Sequence, residues 1–185
     1  ALLDTTQSKE LKKFMLQHII CVEKRIPSFA GLGGGSSDAA TFLNMCNEIC
    51  NLNLSKNDLA HIGSKIGADV PFFIYNYDSA NVSGIGEIVE EFFEITPNIE
   101  IFTPNLEIST PKVYQYYRDH LYNPIEDATI TQLKAIPSQT ILETWAPEDA
   151  NDLYPAALKC YPELVSKPNW FFSGSGSSFF KLKDS

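Results

Sequence analysis

Apolar positions recur along this chain with two different periods, and the switches between them outline its elements. Leu2 to Leu16 carry helical spacing with an interruption near Thr5–Ser8. His18 to Glu23 (HIICVE) are rich in β-branched residues and predict a strand. Ala39, Phe42, Leu43, Cys46, Ile49 and Cys50 then return at helical intervals, with Asn44, Asn47 and Glu48 on the other face. Ser55, with Asp58 three residues on, reads as the capping signal of a second helix bearing Leu59, Ile62 and Ile66. Gly67 falls where a helix C′ glycine belongs.

VPFFIY (70–75) is unbroken apolar sequence and predicts a buried strand, and NVSGIGEIVEEF (81–92) predicts a strand, a glycine turn and a second strand. IEIFTP (99–104) predicts another strand. Ser109-Thr110-Pro111 marks a helix start, with a capping hydroxyl and a proline in the first turn, for a helix that carries Val113, Tyr114 and Tyr117 and ends near Asn123-Pro124. Residues 124–150 show no clean period. Leu153 to Val165 read as helix despite Pro155 and Pro162, and NWFFSGSGSSFFKL (169–182) as two strands around a turn of small residues. Thr96-Pro97-Asn98 is the clearest break, so an N-terminal domain of residues 1–96 and a C-terminal domain of residues 97–185 are expected. The mixture is α+β, in two layers, without internal repeats.

Composition narrows the partners. With 185 residues the chain can bury roughly 70% of its unfolded surface, and 44% hydrophobic with 20% charged residues is an ordinary globular balance. A formal charge of −9 argues against nucleic acid as a partner, which calls for a basic stripe. A phosphate-bearing ligand must therefore be held by backbone donors or a few chosen cations. No stretch approaches the ~20 apolar residues of a membrane span, and there is no signal-peptide pattern. Cys21, Cys46, Cys50 and Cys160 form no CxxC pair, so reduced thiols and a cytoplasmic location are expected. Cys46 and Cys50 share one helix face and are expected to be buried rather than metal-bound. The chain opens on Ala1 rather than methionine, and a preceding segment is expected.

Chemistry concentrates in IPSFAGLGGGSSDAAT (26–41), where four of the ten glycines lie between Gly31 and Gly35. A P-loop needs G-x-x-x-x-G-K-[ST], but no lysine stands between Arg25 and Lys56. A dinucleotide fingerprint from Gly31 and Gly33 would need glycine at position 36, which is Ser36. What remains is a predicted strand, a loop nearly free of side chains, and a helix starting around Ser36–Asp38. A helix start offers unpaired N–H groups and about half a positive charge, and glycines let anion oxygens approach them. A tight connection capped by Ser36 or Ser37 is the other reading.

PSFAGLGGGSSDAA (27–40) resembles the second motif of the GHMP kinases, the small-molecule kinases named for galactose, homoserine, mevalonate and phosphomevalonate. GADVPFF (67–73) with GIGE (84–87) resembles their central signature, and FSGSGSSFF (172–180) their third glycine motif. The resemblance implies a ribosomal-protein-S5-like N-terminal domain and a ferredoxin-like C-terminal domain, and it implies ATP with Mg²⁺. The tripled glycine is closest to the branch that phosphorylates the 2-hydroxyl of a cytidylylated methylerythritol for isoprenoid-precursor synthesis. Relatives acting on homoserine or mevalonate usually carry GLGSS.

Carried over by position, Pro27, Ser28, Phe29, Ala30, Gly31, Leu32, Gly33, Gly34, Gly35, Ser36 and Ser37 would lie along the ATP phosphates, with the Ser37 hydroxyl a Mg²⁺ contact and no metal ligand set assigned. Asp69 would serve the acceptor hydroxyl as base or orienter, although an aspartate there also suits a turn. Thr110 and Tyr114, in STPKVY, would hold the cytidine end with Ile85 beside them, although a helix-face tyrosine also suits core packing. Ser173, Gly174, Ser175 and Gly176 would form a second glycine wall, although they also suit a hairpin loop. The family's partner lysine and following asparagine, with its first strands and much of its adenine pocket, are expected before Ala1. No family-like helix and strand follow Phe180, so a short C-terminal domain is expected. A non-catalytic nucleotide-binding module and a ligand-free α+β domain are the rival readings from other classes.

Overall fold

Helix α3 (Gly34–Ile49) is the longest element, and its apolar stripe organises the first of two units. The computed structural model describes residues 1–183, with residues 1–25 and 33–93 in the first unit and residues 26–32 and those from Glu94 onward in the second.

The first unit runs α1 (Leu2–Thr6), α2 (Lys9–Gln17), α3, α4 (Lys56–Ser64), α5 (Val70–Tyr75), β1 (Ala80–Ser83) and β2 (Ile88–Glu91). The interruption expected near Thr5–Ser8 is there: Gln7 turns left-handed at φ 51°, and Ser8 caps α2 by accepting the Leu11 N–H at 3.1 Å. Ser55 and Asp58 form the expected capping box, with Ser55 Oγ accepting from Asp58 N and Asp58 Oδ2 accepting from Ser55 N. Leu11, Leu43, Cys46, Leu59, Ile62, Val70 and Ile74 make the core, and Cys50 is buried with them. Desolvation in that core raises the Cys46 thiol pKa, with the neighbouring Cys50 adding to it. β1 and β2 pair antiparallel as the hairpin read from residues 81–92.

Three expectations for this unit are corrected. HIICVE is not a strand: residues 18–25 are exposed and adopt no regular element. Among the described residues no neighbouring strand pairs with it, and an isolated extended segment has nowhere to place its ladder bonds. VPFFIY is helix α5, not a strand. An unbroken apolar run cannot distinguish a strand from a buried helix by period. Here Val70 and Ile74 are buried one turn apart, Pro71 sits in the first turn where its missing N–H is harmless, and Asn76 ends the helix at φ 56°. Gly67 is not a C′ glycine, because α4 stops at Ser64 with Lys65 as a right-handed cap, and Gly67 opens the next turn by accepting from Val70 N at 3.2 Å.

The second unit runs β3 (Ile99–Phe102), α6 (Thr110–His120), α7 (Asp127–Lys134), α8 (Ser138–Thr144), α9 (Leu153–Cys160), β4 (Phe171–Phe172) and β5 (Phe179–Leu182). Its antiparallel sheet has the order β3-β5-β4, with Phe179 opposite both Phe102 and Phe172. Ile108, Val113, Tyr154, Ala156, Ala157, Phe172 and Phe179 form the core. Helix α9 stops two residues before Pro162 instead of reaching Val165, because proline has no N–H to continue the ladder. Helices α7 and α8 occupy the segment that showed no period, and neither buries a residue. Ser138 at the start of α8 is held by Glu94, whose carboxylate accepts from Ser138 N at 2.7 Å and Oγ at 2.6 Å. Among the described residues no helix is long and apolar enough to cross a membrane.

Candidate active site

In the first unit α3 begins at Gly34, earlier than the expected Ser36–Asp38. Its N-cap is Gly33 at φ 65°, whose carbonyl accepts the Ser37 N–H at 2.9 Å, so neither Ser36 nor Ser37 caps the helix. The leading N–H groups have no intrahelical acceptor and carry the positive end of the dipole. Gly35 is exposed, and a Cβ built on it meets nothing within 4 Å. Packing within the protein therefore does not demand glycine there, and a helical glycine costs stability relative to alanine. Lys24, ahead of the loop, holds Asp38 of the second turn at 2.5 Å.

Two further motif segments lie beside this helix start. A Cβ on Gly67 would come 3.9 Å from Ser36 Oγ, so the GAD segment runs past the first turn of α3. Asp69, next but one, is the N-cap of α5 and is exposed. Its carboxylate makes no cap bond and, among the described residues, no hydrogen bond or ion pair. Capping of a turn is thus not what an aspartate does here. The β1–β2 turn leans on the residue before it, since a Cβ on Gly86 would lie 2.7 Å from the Ala68 carbonyl oxygen. Ile85 stands at the tip of that turn, 81% exposed, and its N–H donates to Glu87 Oε2 at 2.7 Å.

Residues 26–32, the first half of the glycine-rich loop, fold with the second unit. Gly31 adopts φ 69°, and a Cβ on it would collide with the Ser173 carbonyl oxygen and lie 2.7 Å from that of Gly176. Only glycine allows these two loops to approach so closely. The Gly31 carbonyl accepts from Ser173 Oγ at 2.8 Å, and the Ala30 carbonyl from Ser178 N at 3.0 Å. Phe29 is exposed at φ 58°, and Pro27, Ser28 and Leu32 complete the segment. Ser175 is buried, with its hydroxyl 2.7 Å from that of Thr110 at the start of α6. Tyr114 follows one turn later, 45% exposed. Ser177 and Ser178 are fully buried, the former donating to Leu106 O at 2.6 Å and the latter 2.8 Å from Thr103 Oγ1.

The structure thus groups Gly33–Ser37, Asp69 and Ile85 in the first unit, and Ala30–Gly31, Ser173–Gly176 and Thr110 in the second. Sequence reading missed Lys24 and Asn151, whose amide grips the second glycine motif. Their partners stand 14 and 21 or more residues away, where no local spacing rule reaches. Among the described residues no group of three or more His, Cys, Asp or Glu side chains could hold a metal ion.

In the first unit, a helix start that opens on glycines and a carboxylate held by no described residue are features that phosphoryl transfer can use. Residues 3–77 match the GHMP kinases N terminal domain. The 4-diphosphocytidyl-2-C-methyl-D-erythritol kinase of Sulfurimonas denitrificans is 55% identical over 184 residues, covering 98% of this chain and 69% of the relative. The same-named kinase of Sulfurovum sp. is 49% identical, covering 95% and 70%, and that of Campylobacter jejuni is 36% identical, covering 98% and 72%. A crystal structure of 4-(cytidine 5'-diphospho)-2C-methyl-D-erythritol kinase superposes with a TM-score of 0.64 at 32% identity, over 86% of this chain and 59% of that one. The chain belongs to the GHMP kinase family, in the group of these 4-diphosphocytidyl-2-C-methyl-D-erythritol kinases. It spans 69–72% of the length of these three curated relatives and 59% of the solved structure.

Proposed function

We propose that the protein transfers the γ-phosphoryl group of ATP to the 2-hydroxyl of 4-diphosphocytidyl-2-C-methyl-D-erythritol. The observation that carries this reading lies in the first unit: past a helix start that opens on two glycines runs the segment bearing Asp69, whose carboxylate no described residue holds. Phosphoryl transfer asks chiefly for alignment and charge neutralisation, with one group to receive the hydroxyl proton. The bond from the γ-phosphorus to the ADP oxygen breaks, a bond to the alcohol oxygen forms, and Asp69 takes the displaced proton.

Roles divide along the chain. Pro27 to Ser37 lie along the triphosphate, with the N–H groups that open α3 as donors, and Ser173 to Gly176 form the second glycine wall. Thr110 and Tyr114 hold the cytidine end, the aromatic ring stacking on the base. The Ser37 hydroxyl would contact Mg²⁺ bound with ATP, and the ion would supply neutralisation of phosphate charge. The reaction belongs to isoprenoid-precursor synthesis in the cytoplasm, and no nucleic acid or membrane takes part.

The test is ³¹P NMR of products from full-length protein, ATP and Mg²⁺ with a panel of alcohols. A phosphomonoester on the cytidylylated methylerythritol alone is the expected result. Turnover of homoserine or mevalonate instead, or of none, would contradict the assignment.

A further inference from the structure

Asn151 spends its whole side-chain amide. Nδ2 donates to the carbonyl oxygens of Phe172 and Gly174, each at 2.9 Å, and Oδ1 accepts the Leu153 N–H at 2.9 Å. A primary amide has two N–H donors, so both go to the passage from β4 into the second glycine motif. The acceptor goes to the first residue of α9. The two gripped carbonyls flank Ser173, the residue whose hydroxyl donates to Gly31 O at 2.8 Å. The loop is tied on itself by Ser173 N to Ser178 O and Gly176 N to Ser173 O, both at 2.9 Å. Within the second unit, then, one side chain ahead of α9 brackets the residue that touches the first half of the glycine-rich loop.

We propose that Asn151 is a positioning residue for ATP: it holds Ser173 against Gly31, and so keeps the second glycine wall in register with residues 27–32. The inference rests on the reading of residues 27–37 as the nucleotide loop. A merely structural Asn151 would serve only to start α9, and the substitution Asn151→Asp separates the two roles. The carboxylate it introduces still accepts the Leu153 N–H, because aspartate makes this bond to the backbone two residues on as asparagine does. That carboxylate donates nothing to Phe172 and Gly174, and it sets negative oxygens against their carbonyls.

The experiment compares Asn151→Asp, Ser173→Ala and the double variant in full-length protein, by steady-state kinetics and urea unfolding. The KM for ATP should rise about tenfold in Asn151→Asp, the size of a lost pair of hydrogen bonds, while the KM for the alcohol stays within about twofold. If Asn151 acts through Ser173, the double variant should be no worse than the worse single one, because coupled residues are not additive. An unchanged KM for ATP, equal rises in both KM values, or additive effects would overturn the proposal. Should Asn151→Asp not fold, Asn151→Gln displaces the same amide by one methylene and carries the same expectations. Gly35→Val keeps the two readings apart. If it leaves ATP affinity intact, the nucleotide loop itself is misassigned; if it weakens ATP and Asn151→Asp does not, only the role of Asn151 falls.

Discussion

The hydroxyl of Thr110 lies 2.7 Å from that of Ser175, which joins the first residue of α6 to the buried part of the second glycine motif. Thr110→Val keeps the shape and removes the hydroxyl, leaving Ser175 without that partner. Stability should fall by about 1–3 kcal/mol, the cost of an unpaired buried polar group. The KM for the cytidylylated alcohol should rise about tenfold, with that for ATP within about twofold. Adding Ser175→Ala should recover most of the stability but none of the KM. Urea unfolding beside kinetics separates the two effects, and recovery of both would make Thr110 a packing residue only.

Gly35 has open space where a side chain would go. Gly35→Val should therefore fold, with an unfolding midpoint close to that of the parent. Its β-branched side chain would stand where phosphate oxygens approach the N–H groups of α3, and ATP affinity should fall at least about tenfold. Calorimetric titration reads this directly.

Ser55 lowers the Asp58 pKa by its side-chain and then its backbone hydrogen bond, within the capping box of α4. A carboxyl depressed in the folded state binds more protons when unfolded. Its contribution is thus present above the ordinary aspartate range and is lost as pH falls through the folded value. Asp58→Ala should be less stable than the parent at neutral pH and should converge on it in acid. Urea midpoints of both proteins across that range test the sign; a gap that widens on acidification would reverse it.

Local rules made much of the architecture legible. The break between α1 and α2, the capping box at Ser55, the hairpin of residues 80–91 and the strands around the SGSGSS turn all depend on near neighbours in sequence. VPFFIY was not legible, because burial on every side erases the period that tells helix from strand. HIICVE was misleading for the opposite reason: its β-branched residues suit a strand, but a strand exists only with a partner. Helices α7 and α8 left no trace because neither buries an apolar stripe. At the site, the glycines announced themselves by composition. The side chains that hold them, such as Asn151, did not, since long-range hydrogen bonds leave no spacing to read.

Asp69 stands exposed at the start of α5, its carboxylate neither capping that helix nor bonded to any described residue. Asparagine matches it in size and can orient a hydroxyl, but it cannot take the proton. The most direct measurement is kcat of Asp69→Asn in the full-length protein, with saturating ATP and cytidylylated alcohol. A fall of ~10²–10⁴ is predicted, the contribution of a positioned general base, with unfolding midpoint and ATP affinity near those of the parent. Retention of more than about a third of the parent kcat, far outside that range, would contradict the role given to Asp69 and with it the chemistry proposed for the first unit.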